Sequence, residues 1–220
     1  MKLHRSKLVE TAATLIGVLL LLAVLVWRQS YVQEKEALSH LYLSASGGDL
    51  RSVEQLSQSR ASHAQWLLAK LAQDQSATSD SRVAAIKALD NRPALDVEAL
   101  GHLIRINQPF VVRHAAAEVL EHRSCDDACI SATLHAIHPM WKGEPALEAS
   151  GSMEDLYRTY DVHPDPAQTA KIDADLRGKT EQDYRNLLNI NPCETQKILK
   201  QGYSAEPAFI EFVQSRISVC

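Results

Sequence analysis

Aromatic side chains are scarce in this 220-residue chain, where three Phe, three Trp and six Tyr make up 5% of the residues. With so few large rings, the core must be filled mainly by Leu, Ile, Val and Ala, a composition that suits closely packed helices. Positive charge is not in excess either. The 23 Lys and Arg against 27 Asp and Glu give a formal net charge of -4, and this total includes a basic leader, so the remainder is mildly acidic. Nucleic acid is not an expected partner, because its phosphates demand a basic face. Signatures of catalysis are also missing. There is no G-x-S-x-G, no phosphate-cradling glycine loop, no dinucleotide fingerprint and no H-E-x-x-H. The sequence therefore gives no reason to expect a catalytic residue, a bound metal or a cofactor, and it does not read as an enzyme.

One long apolar run is present. Thr11 to Trp27 pass seventeen residues without a charge and are dominated by Leu, Val, Ile and Ala. At 1.5 Å per helical residue this run makes about 26 Å of helix, which spans a hydrocarbon core of about 30 Å once local thinning or the flanking residues contribute. A cleavable signal peptide is the competing reading, and Lys2, Arg5 and Lys7 supply its basic start. Cleavage, however, requires small residues after the apolar stretch, and here the exit reads Val26-Trp27-Arg28-Gln29-Ser30-Tyr31. The expectation is an uncleaved anchor contacting the lipid bilayer through Thr11 to Trp27, with Trp27 and Tyr31 in the interfacial belt. Three basic residues precede the run, whereas Arg28 and Lys35 follow it among Glu34 and Glu36. This bias places the N-terminus in the cytoplasm and the bulk of the chain on the periplasmic or extracellular side of the plasma (inner) membrane.

Beyond the run, apolar residues recur at helical spacing. Helices are predicted over residues 31–46, 49–57 and 62–73, with Gly47-Gly48 breaking the first and Ser79 or Asp80 available to cap the next. Two segments then repeat. Asp80-Ser81-Arg82-Val83-Ala84-Ala85-Ile86-Lys87-Ala88-Leu89 and Val111-Val112-Arg113-His114-Ala115-Ala116-Ala117-Glu118-Val119-Leu120 set Arg82 and Arg113 thirty-one positions apart. The intervening helices follow the same interval, since Asp96, Ala99 and Leu103 correspond to Asp127, Ile130 and Leu134. A fixed period of this size marks stacked helical units. The predicted helices here run over 81–90, 96–106 and 110–122.

This pattern resembles the second helix of HEAT repeats, especially the short, roughly thirty-residue variety found in phycobilisome-lyase-like chains, and the resemblance covers about residues 61–138. It implies that Arg82 and Arg113 act structurally, each bonding across to a neighbouring repeat. Alanines allow close approach of the helices, and Val83, Ile86 and Leu89, or Val112, Ala116 and Leu120, fill the interlayer. Asp80, Arg82, Arg113, Leu89 and Leu120 are thus read as stacking residues. The expected fold is all-α: an N-terminal transmembrane helix, a short HEAT-like α-solenoid and a C-terminal group of helices. Its divisions are 1–30 for the cytoplasmic tip and anchor, 31–60 for linker helices or a solenoid cap, 61–139 for the repeats and 140–220 for the C-terminal helical segment.

After Pro139 the periodicity stops. Residues 140–152 read as a connection, Met153 to Tyr160 as a short helix, and His163-Pro164-Asp165-Pro166 as a break. Helices are predicted near 167–176, 180–188, 192–201 and 206–218. Their caps are Thr180 with Asp183, Asn191 before Pro192, Gly202 and Ser204.

Four cysteines, Cys125, Cys129, Cys193 and Cys220, are the foremost site candidates. Outside the cytoplasm they invite disulfides, and three connectivities exist. The expected one joins Cys125 to Cys129, one turn apart, and Cys193 to Cys220. A sharper reading adds His135 and His138 to Cys125 and Cys129 as zinc ligands, but the spacing C-x3-C-x5-H-x2-H departs from finger patterns and one straight helix would hold His135 too far from Cys125. Thiol exchange is weakly signalled because the pair is not C-x-x-C. His102 and His114 read as surface or satisfied core residues. Glu154, Asp155, Asp161, Asp165, Asp173 and Asp175 read as a solvated acidic face. Tyr157, Tyr160, Tyr184 and Tyr203 are available for an interface or for packing.

The leading expectation is a membrane-anchored scaffold or adaptor that binds another protein through its helical surface. The resemblance also implies an alternative, a lyase or chaperone subunit acting on a chromophore-bearing partner. A thiol- or metal-responsive sensor is the second alternative.

Overall fold

The computed structural model describes residues 2–92, 97–105, 108–123, 125–144, 165–203, 205–218 and 220, with side chains from Leu21 onward and that of residue 98 excepted. Every regular element among them is a helix, so the chain is all-α. The first, α1 (Lys2–Ser46), is continuous through the apolar run. Side chains from Leu21 to Ala37 are all exposed, and the first to enter the core is Leu38. Among the described residues no helix is long and apolar enough to cross a membrane, and residues 11–20 of the expected span fall outside the described side chains. The transmembrane part of the expected fold thus finds no support among the described residues.

Gly48 ends the packed part of α1 in a left-handed conformation, φ 107°, which a side chain would strain. Asp49 then caps α2 (Leu50–Gln58), accepting from the Arg51 amide at 3.2 Å and the Ser52 hydroxyl at 2.6 Å. After α3 (Ser62–Gln73), Tyr42 reaches back from α1 and donates to Asp74 at 2.7 Å under the Lys70 ammonium. Burial and the Asp74 carboxylate push the Tyr42 hydroxyl up to about 12, so it remains a donor. The cap of α4 (Ser79–Asp90) is Thr78 rather than Ser79 or Asp80, since its hydroxyl lies three residues before the Ser81 amide that it accepts from.

The predicted helix over 96–106 is replaced by a shorter one. It appears as α5 (Val97–Gly101) followed by a 3-10 turn, His102–Ile104. Gly101 lies close to the backbone of Cys129, whose Cα would stand 3.2 Å from an added Cβ, so a side chain there would crowd it. Next come α6 (Phe110–Glu121) and α7 (Asp127–Trp141). The latter runs through Pro139, where the repeats were expected to stop. Met140 is buried and Trp141 packs against Phe209, and the chain turns at Gly143, φ 90°. Core packing of these last two residues outweighs the one amide bond that proline removes.

A larger departure follows. Instead of two helices over 167–176 and 180–188, one helix, α8 (Pro166–Ile190), spans both. Ile172, Leu176, Thr180, Tyr184, Leu187 and Leu188 form a single buried stripe across the join. Gly178 lies in open space, and its propensity penalty of about 1 kcal/mol is small beside the burial of that stripe. Thr180, expected to cap a helix, is buried mid-helix. Asp165 caps α8 instead, before Pro166. The chain closes with α9 (Pro192–Lys200), Gly202 at φ 113° and α10 (Pro207–Gln214). The expected helix 153–160 and the Ser204 cap lie outside the described residues.

Contacts arrange α2, α4 and α6 in one row, with α8 against α6 in the next place, while the end of α1 lies beside α2 and α3, and α5 packs against α7. Arginines tie the row together. Arg82, 2% exposed, donates from Nε to the Ala72 carbonyl of α3 at 3.0 Å and from Nη2 to Gln108 before α6. A second pair was not singled out from the sequence. Arg92 donates to the carbonyls of Leu56, Ser57 and Ser59 at 3.1, 2.6 and 2.7 Å, closing the end of α2. Arg123 donates in the same way to the carbonyls of Asp90 and Arg92 at the end of α4. Both satisfy helix-terminal carbonyls and favour the negative end of the helix dipole. The signal was present, for Arg92 and Arg123 are also thirty-one residues apart, each ten beyond the repeat arginine.

Replacing Arg92 by Ala is expected to destabilise the fold by about 2 kcal/mol, since it removes charge-assisted bonds to half-buried carbonyls. Urea denaturation followed by circular dichroism measures this, and an unchanged midpoint would contradict the capping role.

Candidate functional site

The cysteines occupy fixed structural positions. Cys125 and Cys129 are disulfide-bonded with Cα atoms 5.4 Å apart, and Cys193 and Cys220 are bonded with Cα atoms 5.2 Å apart. Asp126 caps α7 between the first pair, accepting from the Cys129 amide at 3.1 Å, so the bridge secures the beginning of that helix. Asn191 donates to the Cys125 carbonyl at 3.4 Å, linking the end of α8 to the same point. The second bridge holds α9 to Cys220. In this form neither cysteine of the first pair offers a thiolate, and the histidines of the suggested zinc cluster face rings instead. His135 meets Tyr203 at 5.0 Å between centroids, and His138 meets Phe209 edge-on at 4.8 Å. Among the described residues no group of three His, Cys, Asp or Glu side chains could hold a metal ion.

The repeat arginines differ in what lies beyond them. Arg113, also 2% exposed, donates to the Tyr184 hydroxyl at 3.3 Å, and that hydroxyl donates to the Ile104 carbonyl at 2.9 Å. Tyr184 belongs to α8, so the C-terminal segment supplies the next-layer partner that Gln108 provides for Arg82. The Arg113 Nε and Nη2 are buried without a hydrogen-bond partner, while its guanidinium lies 5.9 Å from the Phe110 ring centroid. Burial raises the Tyr184 hydroxyl above its ordinary value and Arg113 opposes the shift, which keeps the phenol neutral between a cation and a carbonyl.

On the outer side of this junction α6 and α8 enclose a groove of about 480 Å³. His114 of α6 bonds Asp183 of α8 at 2.7 Å there, with Glu118 and Lys179 nearby and its ring stacked on Phe110. The Asp183 hydrogen bond raises the His114 pKa against desolvation. Glu121, two turns beyond His114 on α6, accepts from Asn186 at 3.2 Å, and burial raises its pKa. The remaining sequence candidates have ordinary places: His102 is exposed, Asp165 caps α8, Asp175 pairs with Lys179 at 2.9 Å, Leu89 and Leu120 lie in the core, and Asp80 is exposed in the first turn of α4. Tyr203 is half-buried, and desolvation pushes its hydroxyl up to about 12. Glu154, Asp155, Tyr157, Tyr160 and Asp161 lie outside the described residues.

Two clefts open in the stack. One, about 320 Å³, separates α3 from α5 and is bordered by Trp66, Leu100 and Leu103. Trp66 is 55% exposed there. The other, about 220 Å³, lies where α7, α8 and the end of α10 meet. Its floor is apolar, with Ile137, Met140, Trp141, Leu188 and Phe212. Around it stand Arg177, Arg185 and Arg216 with Glu181. Arg216 donates from Nε to Glu181 at 2.8 Å, Arg185 reaches the same oxygen at 3.4 Å, and these bonds lower the Glu181 pKa, Arg216 most of all. Arg177 donates to the carbonyls of Met140 at 3.2 Å and Glu144 at 2.6 Å. This cleft was missed in the sequence because its arginines are spread over forty positions, with only the i, i+4 and i+8 spacing of 177, 181 and 185 visible.

Compared with protein-family models, curated proteins and solved structures, the chain matches none. Its functional reading therefore rests on its own residues.

Because the folded His114 pKa is raised above its unfolded value of about 6.5, its bond to Asp183 contributes full stability below that pH and loses it as pH rises through the folded pKa. Thermal melts are expected to show stability falling as pH rises above about 6.5, and His114→Asn should flatten that slope. An identical slope in the variant would exclude this pair. Tyr184→Phe is expected to cost about 2 kcal/mol by leaving Arg113 without its bridge, and Arg113→Met in the same chain should recover part of the loss. Additive losses in that double-mutant cycle would rule out the coupling.

Proposed function

We propose that the chain is a membrane-anchored scaffold that binds another protein along its stacked helices. The observation that carries this reading is the unburied apolar stretch of α1, where Leu21, Leu22, Val24, Leu25, Val26 and Trp27 are 50–71% exposed on a helix continuous with the packed domain. A contiguous apolar surface of this kind marks a lipid or protein contact. Together with the uncharged run from Thr11, it supports a single span ending at Trp27. The paired cysteines favour an oxidising compartment on the far side of the membrane.

The resemblance to short HEAT repeats draws support from Arg82 and Arg113, which bond from one helical layer to its neighbours. On this reading the row α2, α4, α6 and α8 is the working surface. Confinement by the anchor raises the effective concentration of a partner in the same membrane. No residue constellation among the described side chains gives a reaction to this surface, and binding by shape and charge is the mechanism.

Cross-linking and affinity capture from detergent-solubilised membranes are expected to return one reproducible protein partner, with the full chain resisting alkaline carbonate extraction. Extraction into the soluble fraction would remove the anchor, and capture of no reproducible partner would remove the scaffold. Thiol titration under denaturing, non-reducing conditions is expected to find no free thiol in protein isolated from its native compartment, whereas four free thiols would place the domain in a reducing one.

A further inference from the structure

The cleft between α7, α8 and α10 carries unbalanced charge over an apolar floor. Among the described residues three guanidinium groups border it and one carboxylate answers them, since Arg185 and Arg216 share Glu181. Arg177 donates to main-chain carbonyls, whose dipoles do not cancel its charge. An excess of cations beside apolar walls strengthens the field on an anion entering between them. A planar guanidinium offers paired N–H donors that match a carboxylate. Trp141, Met140, Leu188 and Phe212 provide dry contact below, and the Phe212 ring is itself covered by the Arg216 guanidinium at 3.3 Å. A volume of about 220 Å³ admits one side chain rather than an extended ligand.

We infer that this cleft binds a carboxylate borne on an apolar group the size of one aromatic or branched side chain. Two sources share that chemistry, the chain-terminal carboxylate of a partner protein and a free small organic acid. The inference rests on the scaffold reading only for the first source. The carboxylate sits among Arg177, Arg185 and Arg216, and the apolar group lies on Trp141 and Phe212.

The test is titration calorimetry of the full chain in a sugar-headgroup detergent with N-acetyl-phenylalanine and with its amide. The acid is expected to bind at least tenfold more tightly than the amide. Arg185→Gln, which alters a half-exposed side chain, should weaken the acid about tenfold. Glu181→Gln should bind it at least as tightly as the wild type, a result that mere destabilisation cannot produce. Equal binding of acid and amide, an unchanged affinity in Arg185→Gln, loss of binding in folded Glu181→Gln, or inorganic phosphate binding as tightly as the acid would each overturn the site. A Phe-terminated octapeptide binding tenfold more tightly than the acetylated residue assigns the site to a chain end, and equal binding assigns it to a free acid. Acid binding with failed partner capture defeats the scaffold reading alone, and partner capture without acid binding defeats this inference alone.

Discussion

The guanidinium bridge between helical layers is the interaction on which the rest of this fold depends. A stack of short helices built from Leu, Ile, Val and Ala has ample apolar contact but little that fixes one layer's height against the next. Arg82, Arg92, Arg113 and Arg123 supply that register by donating to carbonyls or buried polar oxygens of adjacent layers. Two of the four also close helix ends whose carbonyls would otherwise face a partly dry interface. Since a buried cation without donors' partners is expensive, sliding a layer would strand several N–H groups together. The apolar core supplies most of the cohesion, and the arginines select one arrangement of it.

The C-terminal segment acts as the final layer. Its sequence shows no third copy of the repeat, yet α8 lies against α6 and places Tyr184 where a further repeat would have offered a partner to Arg113. The exchange is imperfect, because two Arg113 nitrogens remain unmatched. It also creates the junctions that a uniform array would lack. The groove with His114 and Asp183 and the cleft with Trp141 and Phe212 both arise where a non-repeating helix meets a repeating one.

Much of the helical plan was legible because it rests on local signals. Residues 62–73 follow from one apolar face, and the break after α1 follows from Gly47-Gly48. The spacing of the cysteines likewise pointed to the pairs that the structure joins. What escaped was decided by tertiary packing. Thr180, read as a cap, suggested an interruption that the buried stripe of α8 overrides, and Pro139 suggested an end that Met140 and Trp141 carry past. The clefts were illegible for a related reason: their side chains come from helices far apart in sequence, and only the stacking order brings them together. Arg92 and Arg123 were readable by the same interval that revealed Arg82 and Arg113, but they lie in turns, where periodicity is seldom sought.

The unbroken course of α1 has a geometric consequence. Ten residues separate Trp27, at the end of the apolar stretch, from Leu38, where packing begins, and the eleven steps between the two make about 16 Å of helix without a glycine or proline to bend it. This stalk is a strut of set length rather than a tether. Whatever absorbs the apolar stretch, the stacked layers stand off from it at nearly one height and swing as one piece with its tilt.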